Sequence, residues 1–191
     1  MKQICAAVAV LWCCAAGAAV WAEDVAAPPI PPELQPLVAH LDDKNVYERQ
    51  KAFLRLEATR EPSLIPAFRA HLASRDWHTR AFAVRALAAV EGAPAIPVLL
   101  EKAAHDRQSD VRLAALLGLE PLRDRDPAIE ATFRKALRDR TPEVRMAAAD
   151  IVSRSPSEDA KAAIRKRWKR EWNRDVRRVL ADAMKRIGER E

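Results

Sequence analysis

The chain has 191 residues, a formal net charge of +6, 49% hydrophobic residues and an aromatic content of 5%. This length is sufficient for one domain with a continuous core. Its three cysteines, Cys5, Cys13 and Cys14, lie near the start of the chain. The rest of the sequence therefore excludes disulfides, thiolate nucleophiles and cysteine-ligated metal sites.

The first 22 residues have the layout of a secretory signal peptide. Lys2 precedes a segment that is apolar from Ile4 to Val20 apart from one glycine, and Ala22 stands before the acidic pair Glu23-Asp24. A basic start, a short apolar core and a small residue at the end predict export with cleavage near Ala22. We expect the protein in the periplasm of a bacterium.

Two alternatives to cleavage remain for this segment. Its apolar part almost reaches the ~20 residues that a membrane-spanning helix needs, so the segment could be retained as an anchor. A lipid anchor on Cys13 or Cys14 is the second alternative, which the bulky Trp12 disfavours.

A proline-rich spacer is predicted at residues 23–36, before a folded domain at residues 37–191. Five prolines fall within residues 26–36 and favour an extended chain. After the spacer no alternating run of β-branched residues occurs, and glycine stands at only three positions, Gly92, Gly118 and Gly188. These features predict an all-α fold.

Internal repetition is the strongest pattern in the sequence. An arginine recurs at intervals of 31, 32, 33 and 32 residues: Arg49, Arg80, Arg112, Arg145 and Arg177. Three residues after each arginine stands a small or apolar residue, and four further on another apolar one. These offsets fall on one helical face and predict a buried seam.

A helix start is predicted four residues before each arginine. Asn45, Asp76, Gln108, Thr141 and Asn173 occupy this position, and four of the five are good N-cap residues. Glu48 completes a capping-box pattern with Asn45. A preceding helix is predicted in each repeat at about 33–41, 62–73, 94–104, 127–138 and 157–170. Five helix pairs would stack into an α/α superhelical solenoid.

The segments Asp76–Leu87 and Ser109–Leu119 resemble HEAT repeats, in the short bacterial form of the phycobilisome-lyase type. The resemblance covers about residues 33–188. It implies a binding scaffold whose second helices line the concave face. The first repeat departs from the pattern at Glu48, and the capping aspartate is retained only at Asp76; terminal repeats are often atypical because they cap the stack.

The repeated arginines are the first candidate partner-binding residues. Arg80, Arg112, Arg145 and Arg177 would form a cationic stripe that binds an acidic chain along the groove. The alternative is an inter-repeat ladder, in which each guanidinium bonds to turn carbonyls or carboxylates, as its fork geometry allows.

A basic C-terminal segment, residues 161–178, is the second candidate. It has nine Lys or Arg residues against Glu171 and Asp175, a net charge of +7. Its candidate contact residues are Arg165, Lys166, Arg167, Lys169 and Arg170, which could bind an anionic polymer or lipid head groups. Trp168 and Trp172 follow Ala160 and Ile164 at intervals of four, a spacing that predicts core packing for both rings.

We predict no catalytic, cofactor or metal site from the sequence. The four histidines form no i, i+4 pair and no HExxH motif, and the chain has no glycine-rich phosphate loop. Carboxylate pairs such as Asp42-Asp43 and Asp124-Asp126 fall in predicted turns, where capping is their ordinary role.

The sequence thus predicts an exported, non-enzymatic, monomeric scaffold that binds a protein partner through its concave helical surface. The alternative is a binder of an anionic polymer or membrane surface that acts through residues 161–178. Nucleic acid would be an unexpected partner for an exported protein. The family resemblance also suggests a lyase-like enzyme, but no residues resemble a chromophore site and the chain after residue 22 has no cysteine to serve one. Fold-level analogy is a weak guide to activity.

Overall fold

The computed structural model describes residues 28–154 and 157–188 and contains helices and turns throughout these ranges. The ten α-helices are α1 (Gln35–Ala39), α2 (Val46–Thr59), α3 (Ile65–His71), α4 (Trp77–Val90), α5 (Ile96–His105), α6 (Ser109–Leu119), α7 (Pro127–Ala136), α8 (Pro142–Arg154), α9 (Glu158–Trp168) and α10 (Arg174–Arg186). Five helix pairs follow one another, so the predicted all-α solenoid is confirmed. The predicted signal peptide lies outside the described residues.

The first helix of each pair is shorter than the sequence predicts. A single 3₁₀ turn precedes α3 at Pro62–Leu64 and α5 at Ala93–Ala95, and a longer 3₁₀ segment, Glu120–Arg125, precedes α7. Proline lies in the first two positions of each of these segments. Proline lacks a donor and suits a helix start, where its missing N–H is not needed.

The N-terminal repeat begins inside the predicted spacer. Ile30 and Leu34 are partly buried and pack against the core, and α1 starts at Gln35. Helix α1 has no buried residue, whereas Leu41 just after it is fully buried. This short helix therefore covers the first end of the stack.

Three of the predicted caps at the starts of the second helices are present. The side chains of Asn45, Asp76 and Asn173 accept backbone N–H groups of the first turns of α2, α4 and α10, whereas Gln108 makes no side-chain cap. The predicted capping box is wrong. The backbone N–H of Asn45 donates to Asp43 at 2.8 Å, and Glu48 pairs with Lys51 instead.

The second helices form the closely packed layer of the solenoid. Each of α2, α4, α6, α8 and α10 contacts the next, whereas among the first helices only α5 and α7 pack extensively in the part of the chain that the structure describes. A Cβ on Gly118 of α6 would lie 2.7 Å from Cβ of Ala88 on α4. Because the closer layer of a curved stack lies on its inside, the second helices line the concave face.

The core runs without a break through all five repeats. Its largest fully buried side chains include Phe53, Phe68, Leu99, Phe133 and Leu137. Within residues 28–154 and 157–188, no helix is long and apolar enough to span a membrane.

Candidate functional site

The repeated arginines form an inter-repeat ladder. In the second repeat, Arg80 donates from Nε and Nη2 to both carboxylate oxygens of Asp106, at 2.9 and 3.0 Å. Its Nη1 donates to the backbone carbonyls of Ser74 and Arg75, at 2.8 and 3.2 Å. One guanidinium therefore bonds its own turn and the turn of the next repeat.

The same arrangement recurs twice. Arg112 bonds Asp139 through Nε and Nη2 at 2.8 and 2.7 Å, and Arg145 bonds Glu171 at 2.9 and 3.1 Å. In each case Nη1 donates to two carbonyls of the arginine's own turn. Both arginine side chains are only 4% exposed. Planar bidentate pairing of this kind needs arginine rather than lysine.

The first repeat has a less complete version. Arg49 donates from Nη2 to Asp76. This acceptor stands two residues later in the turn than Asp106 and Asp139 do, because Ser74 occupies their equivalent position. Within the described part of the chain its Nε has no hydrogen-bond partner. Loss of the carboxylate at residue 74 thus shifts the acceptor and costs the bidentate contact.

The last repeat ends the ladder. Arg177 occupies the equivalent position but is exposed, and its guanidinium carbon lies 5.1 Å from the centre of the Trp168 ring. No further turn follows within residues 157–188 to supply a carboxylate. A cation–π contact therefore takes the place of the ion pair.

The acceptor side chains also build the turns. Asp43, Ser74, Asp106, Asp139 and Glu171 stand six residues before the five arginines, and each accepts the backbone N–H two residues further on. Local side-chain bonds of this type stabilise a turn before a helix start. This periodic position was not predicted, although its spacing is visible in the sequence.

The ladder carboxylates are held in their charged form. Burial opposes ionisation of Glu171, but hydrogen bonds from Arg145, the backbone of Asn173 and Arg167 take its pKa from 4.5 to about 2. The pKa of Asp76 also falls to about 2, because bonds from His78 and Thr79 outweigh its burial. Bonds from arginine and from backbone N–H groups likewise lower the pKa values of Asp106 and Asp139 against the effect of burial.

The structure does not bring the nine predicted partner-binding residues together on one surface. Arg80, Arg112 and Arg145 are buried in the ladder, which is the alternative that the sequence left open; a partner role for them stays a prediction. Of the five candidate contact residues in the C-terminal segment, Arg167 bonds Glu171 and Arg165 is partly buried, whereas three are exposed: Lys166, Lys169 and Arg170.

The prediction that both tryptophans face the core is wrong for Trp172. Trp168 packs against the core, but Trp172 is 81% exposed. The interval of four residues fails because α9 ends at Trp168, so the helical face does not continue. Glu171 turns inward instead, to meet Arg145 and Arg167.

A second periodic set of cations lies on the turns themselves. Five residues before each ladder arginine stands a cation in four repeats and a tryptophan in the last: Lys44, Arg75, Arg107, Arg140 and Trp172. All five side chains are exposed. We call this row, with the exposed flanking cations Arg138, Lys169, Arg170 and Arg174, the turn ridge. The ladder bonds one turn to the next, and Arg140 donates to the carbonyl of Arg107, so the turns lie side by side along one edge.

The concave face differs between its two halves. In the first three repeats it carries the exposed apolar side chains Tyr47, Leu54 and Leu117. In the last two repeats, Asp150 accepts hydrogen bonds from Arg154 and Arg186, which fill the same face with ion pairs. The apolar half is therefore the part of the concave face whose exposed side chains are open to a partner.

A groove of about 740 Å³ opens on the opposite face, between α5, α7 and α9. Its lining includes the alanines Ala103, Ala136 and Ala163, with Arg134 and Lys166 among the charged residues around them. In the described part of the chain, no group of three His, Cys, Asp or Glu side chains is placed to hold a metal ion.

Comparison with known families identifies the repeat type. The model of HEAT repeats matches residues 34–120 and, in a second overlapping match, residues 96–185. These matches span most of the sequence, so the chain belongs to the HEAT repeat family, and the resemblance found in the sequence is confirmed. No curated protein matches the sequence.

Two solved structures share the fold. The complex of CpcE and CpcF of phycocyanin lyase from Nostoc sp. PCC7120 matches with a TM-score of 0.66 and 20% identity, over 79% of this chain and 97% of that chain. An engineered protein matches with a TM-score of 0.54 and 19% identity, over 81% of this chain and 79% of that one. At these identities the likeness shows the fold alone, and the HEAT scaffold supports a role in protein interaction.

Proposed function

We propose that the protein is an exported, non-enzymatic scaffold that binds a protein partner through the apolar half of its concave face. The observation that carries the proposal is the exposure of Leu54 and Leu117, at 43% and 51%, in equivalent positions five residues after Arg49 and Arg112. Tyr47, 75% exposed, extends the same face. Clustered apolar side chains on one face mark interaction sites more often than isolated ones do.

The side chains around these leucines suit a protein contact. Phe82 and Leu113 on α4 and α6 are partly buried beside the core and add apolar area to the same layer. Arg85 lies between the two leucines along the face and pairs with Glu57 at 2.8 Å. Aromatic residues and arginines are enriched at the centres of interfaces, and this face presents Tyr47, Phe82 and Arg85 beside its exposed leucines.

The rigid ladder supports this role by fixing the spacing of the second helices. Each guanidinium joins consecutive turns, so the exposed positions on α2, α4 and α6 keep a defined separation. A preorganised surface loses less conformational entropy when it binds. One of the similar solved structures, that of CpcE and CpcF, is a complex of two proteins, which is consistent with a partner on a scaffold of this fold.

The binding face can be tested with Leu54→Glu and Leu117→Glu together. In affinity capture from a cell-envelope extract, we expect one protein partner to be captured by the wild-type chain and lost with this variant. The matched control is Ala70→Glu with Ala131→Glu, which places the same two charges on exposed positions of α3 and α7. Equal capture by both variants would reject the concave face as the binding surface.

Export rests on the sequence pattern of residues 1–22 and has its own test. We expect the protein recovered from the periplasmic fraction to begin at Glu23 when its mass and N-terminal sequence are measured. Recovery of the intact chain from the membrane fraction would favour the retained anchor, and recovery from the cytoplasm would contradict export.

A further inference from the structure

The turn ridge places an exposed cation at the same position in four consecutive repeats. Lys44, Arg75, Arg107 and Arg140 follow the period of 31–33 residues, and each is exposed. Because one intra-repeat turn lies beside the next, their side chains form a row rather than a scattered set. Because these side chains project from turns along one edge of the solenoid, they form a convex ridge and do not line a groove.

The buried ladder leaves this row without neutralising partners. The turn carboxylates Asp106, Asp139 and Glu171 each bond an arginine of the preceding repeat, so their charges are satisfied inside. Among the described residues, Arg75 and Arg107 make no ion pair with any carboxylate. Asp42 and Asp43 lie beside Lys44 in the first turn, so the positive charge builds up from the second repeat onward.

The ridge ends in an aromatic anchor. Trp172 takes the row position in the fifth repeat and is 81% exposed, with exposed cations on both sides at Lys169, Arg170 and Arg174. A tryptophan ring prefers the boundary between water and hydrocarbon, where its apolar body and N–H are both satisfied. An exposed tryptophan between cations is therefore suited to a membrane surface.

We propose that the turn ridge docks the protein on an anionic phospholipid membrane, with the row of cations against the head groups and Trp172 at the interface. A flat charged surface can meet all the side chains of a ridge at once, whereas a linear polymer is held better by a groove. Arginine suits phosphate because its fork donates two parallel hydrogen bonds. This inference does not depend on the protein partner, whose surface lies on the concave face.

Hollows between consecutive turns fit this ligand. One of about 430 Å³ is lined by His105, Arg107 and Arg140. Another of about 350 Å³ is lined by Arg107 and by Lys102, which pairs with Glu101 at 3.3 Å. Each opens beside a ridge arginine and can receive a phosphate head group. The proposal also revises the predicted anionic-surface segment 161–178, because its contact residues continue the ridge through Lys169 and Arg170, while Arg167 bonds Glu171.

The test compares two neutralised variants of the full chain on vesicles. The ridge variant is Arg75→Gln, Arg107→Gln and Arg170→Gln. The control, Arg55→Gln, Arg60→Gln and Arg125→Gln, removes the same charge from exposed positions outside the turn ridge. The readout is the ratio of binding to vesicles of equal parts phosphatidylglycerol and phosphatidylcholine over binding to phosphatidylcholine alone. Any contribution of residues 1–22 is then common to all chains.

We expect the ridge variant to lose roughly a hundredfold in this ratio, because each cation at an anionic surface contributes about a fivefold factor. The control should stay near the wild-type ratio, and Trp172→Ala should weaken binding to anionic vesicles on its own. Equal losses in the two triple variants, or no preference of the wild type for anionic vesicles, would overturn the proposal. So would tighter binding to soluble single-stranded DNA or polyaspartate than to vesicles, which would indicate a polymer ligand instead.

Discussion

Two sets of cations share one repeat period in this molecule and have opposite environments. The ladder arginines Arg80, Arg112 and Arg145 are buried and bonded on both sides, whereas the ridge arginines five residues earlier are exposed. Residue type and spacing are the same in both sets. Periodicity therefore shows only that a position belongs to the repeat. Whether its arginine stabilises the fold or is available to a partner depends on whether a carboxylate pairs with it.

The largest expected effect is a difference in unfolding free energy between removing a ladder arginine and removing a ridge arginine. Arg145→Ala should destabilise the protein by about 3–5 kcal/mol, because it leaves the carboxylate of Glu171 buried without the two hydrogen bonds that Arg145 donates. Arg138→Ala, on the exposed ridge, should change the free energy of unfolding by less than about 0.5 kcal/mol. Urea unfolding followed by circular dichroism measures both. Similar effects of the two changes would contradict the distinction.

Acid should weaken the ladder in a defined range. The pKa of Glu171 is lowered from 4.5 to about 2 in the folded protein, so its contribution is present above pH 4.5 and lost as the pH falls toward 2. A shift of this size corresponds to on the order of 3 kcal/mol. Glu171→Gln should flatten this part of the stability–pH curve. Glu143→Gln, at an exposed glutamate of α8, should leave the curve's shape as in the wild type.

The fork geometry of the ladder predicts a smaller effect of a charge-conserving change. Arg112→Lys keeps the positive charge but cannot bond both oxygens of Asp139 and two turn carbonyls at once. We expect a loss of about 1.5–3 kcal/mol in unfolding free energy, since a hydrogen bond to a charged group contributes that much. Arg107→Lys, on the ridge, should be neutral. A neutral Arg112→Lys would show that charge alone is required.

The smallest expected effect concerns the ladder position that lacks a carboxylate. Arg177→Ala should cost about 0.5–1 kcal/mol, the contribution of an exposed cation–π contact, here with Trp168. Arg177→Lys should recover part of this loss. A loss as large as that of Arg145→Ala would mean that the position, and not its partner, determines the energy.

The repeat architecture was predictable because its pattern is local. Seam residues, caps and proline starts recur at each period, and each follows from helix geometry within one repeat. Asn45, Asp76 and Asn173 are caps in the structure, as their residue types indicate. Ladder bonding was predicted as an alternative, because the fork geometry of a guanidinium suits bonds to turn carbonyls and carboxylates.

The features that the sequence did not predict depend on where helices end and on contacts between repeats. Trp172 was assigned to the core because the interval of four was extended past Trp168, where α9 ends and Glu171 turns inward. The acceptors of the ladder lie 26 or 27 residues from their arginines, so the pairing joins two repeats and no pattern within one repeat reveals it. The turn ridge was not predictable, because the sequence does not show that the neighbouring turn carboxylates bond the ladder arginines.

The central claim is that the periodic arginines bond the carboxylate of the next turn. A double-mutant cycle with Arg112→Ala, Asp139→Ala and the double variant, measured by urea unfolding, tests it most directly. The account predicts a coupling energy of about 1–3 kcal/mol between the two residues. Additive effects, within about 0.5 kcal/mol, would contradict the ladder and return Arg112 to the set of free contact residues.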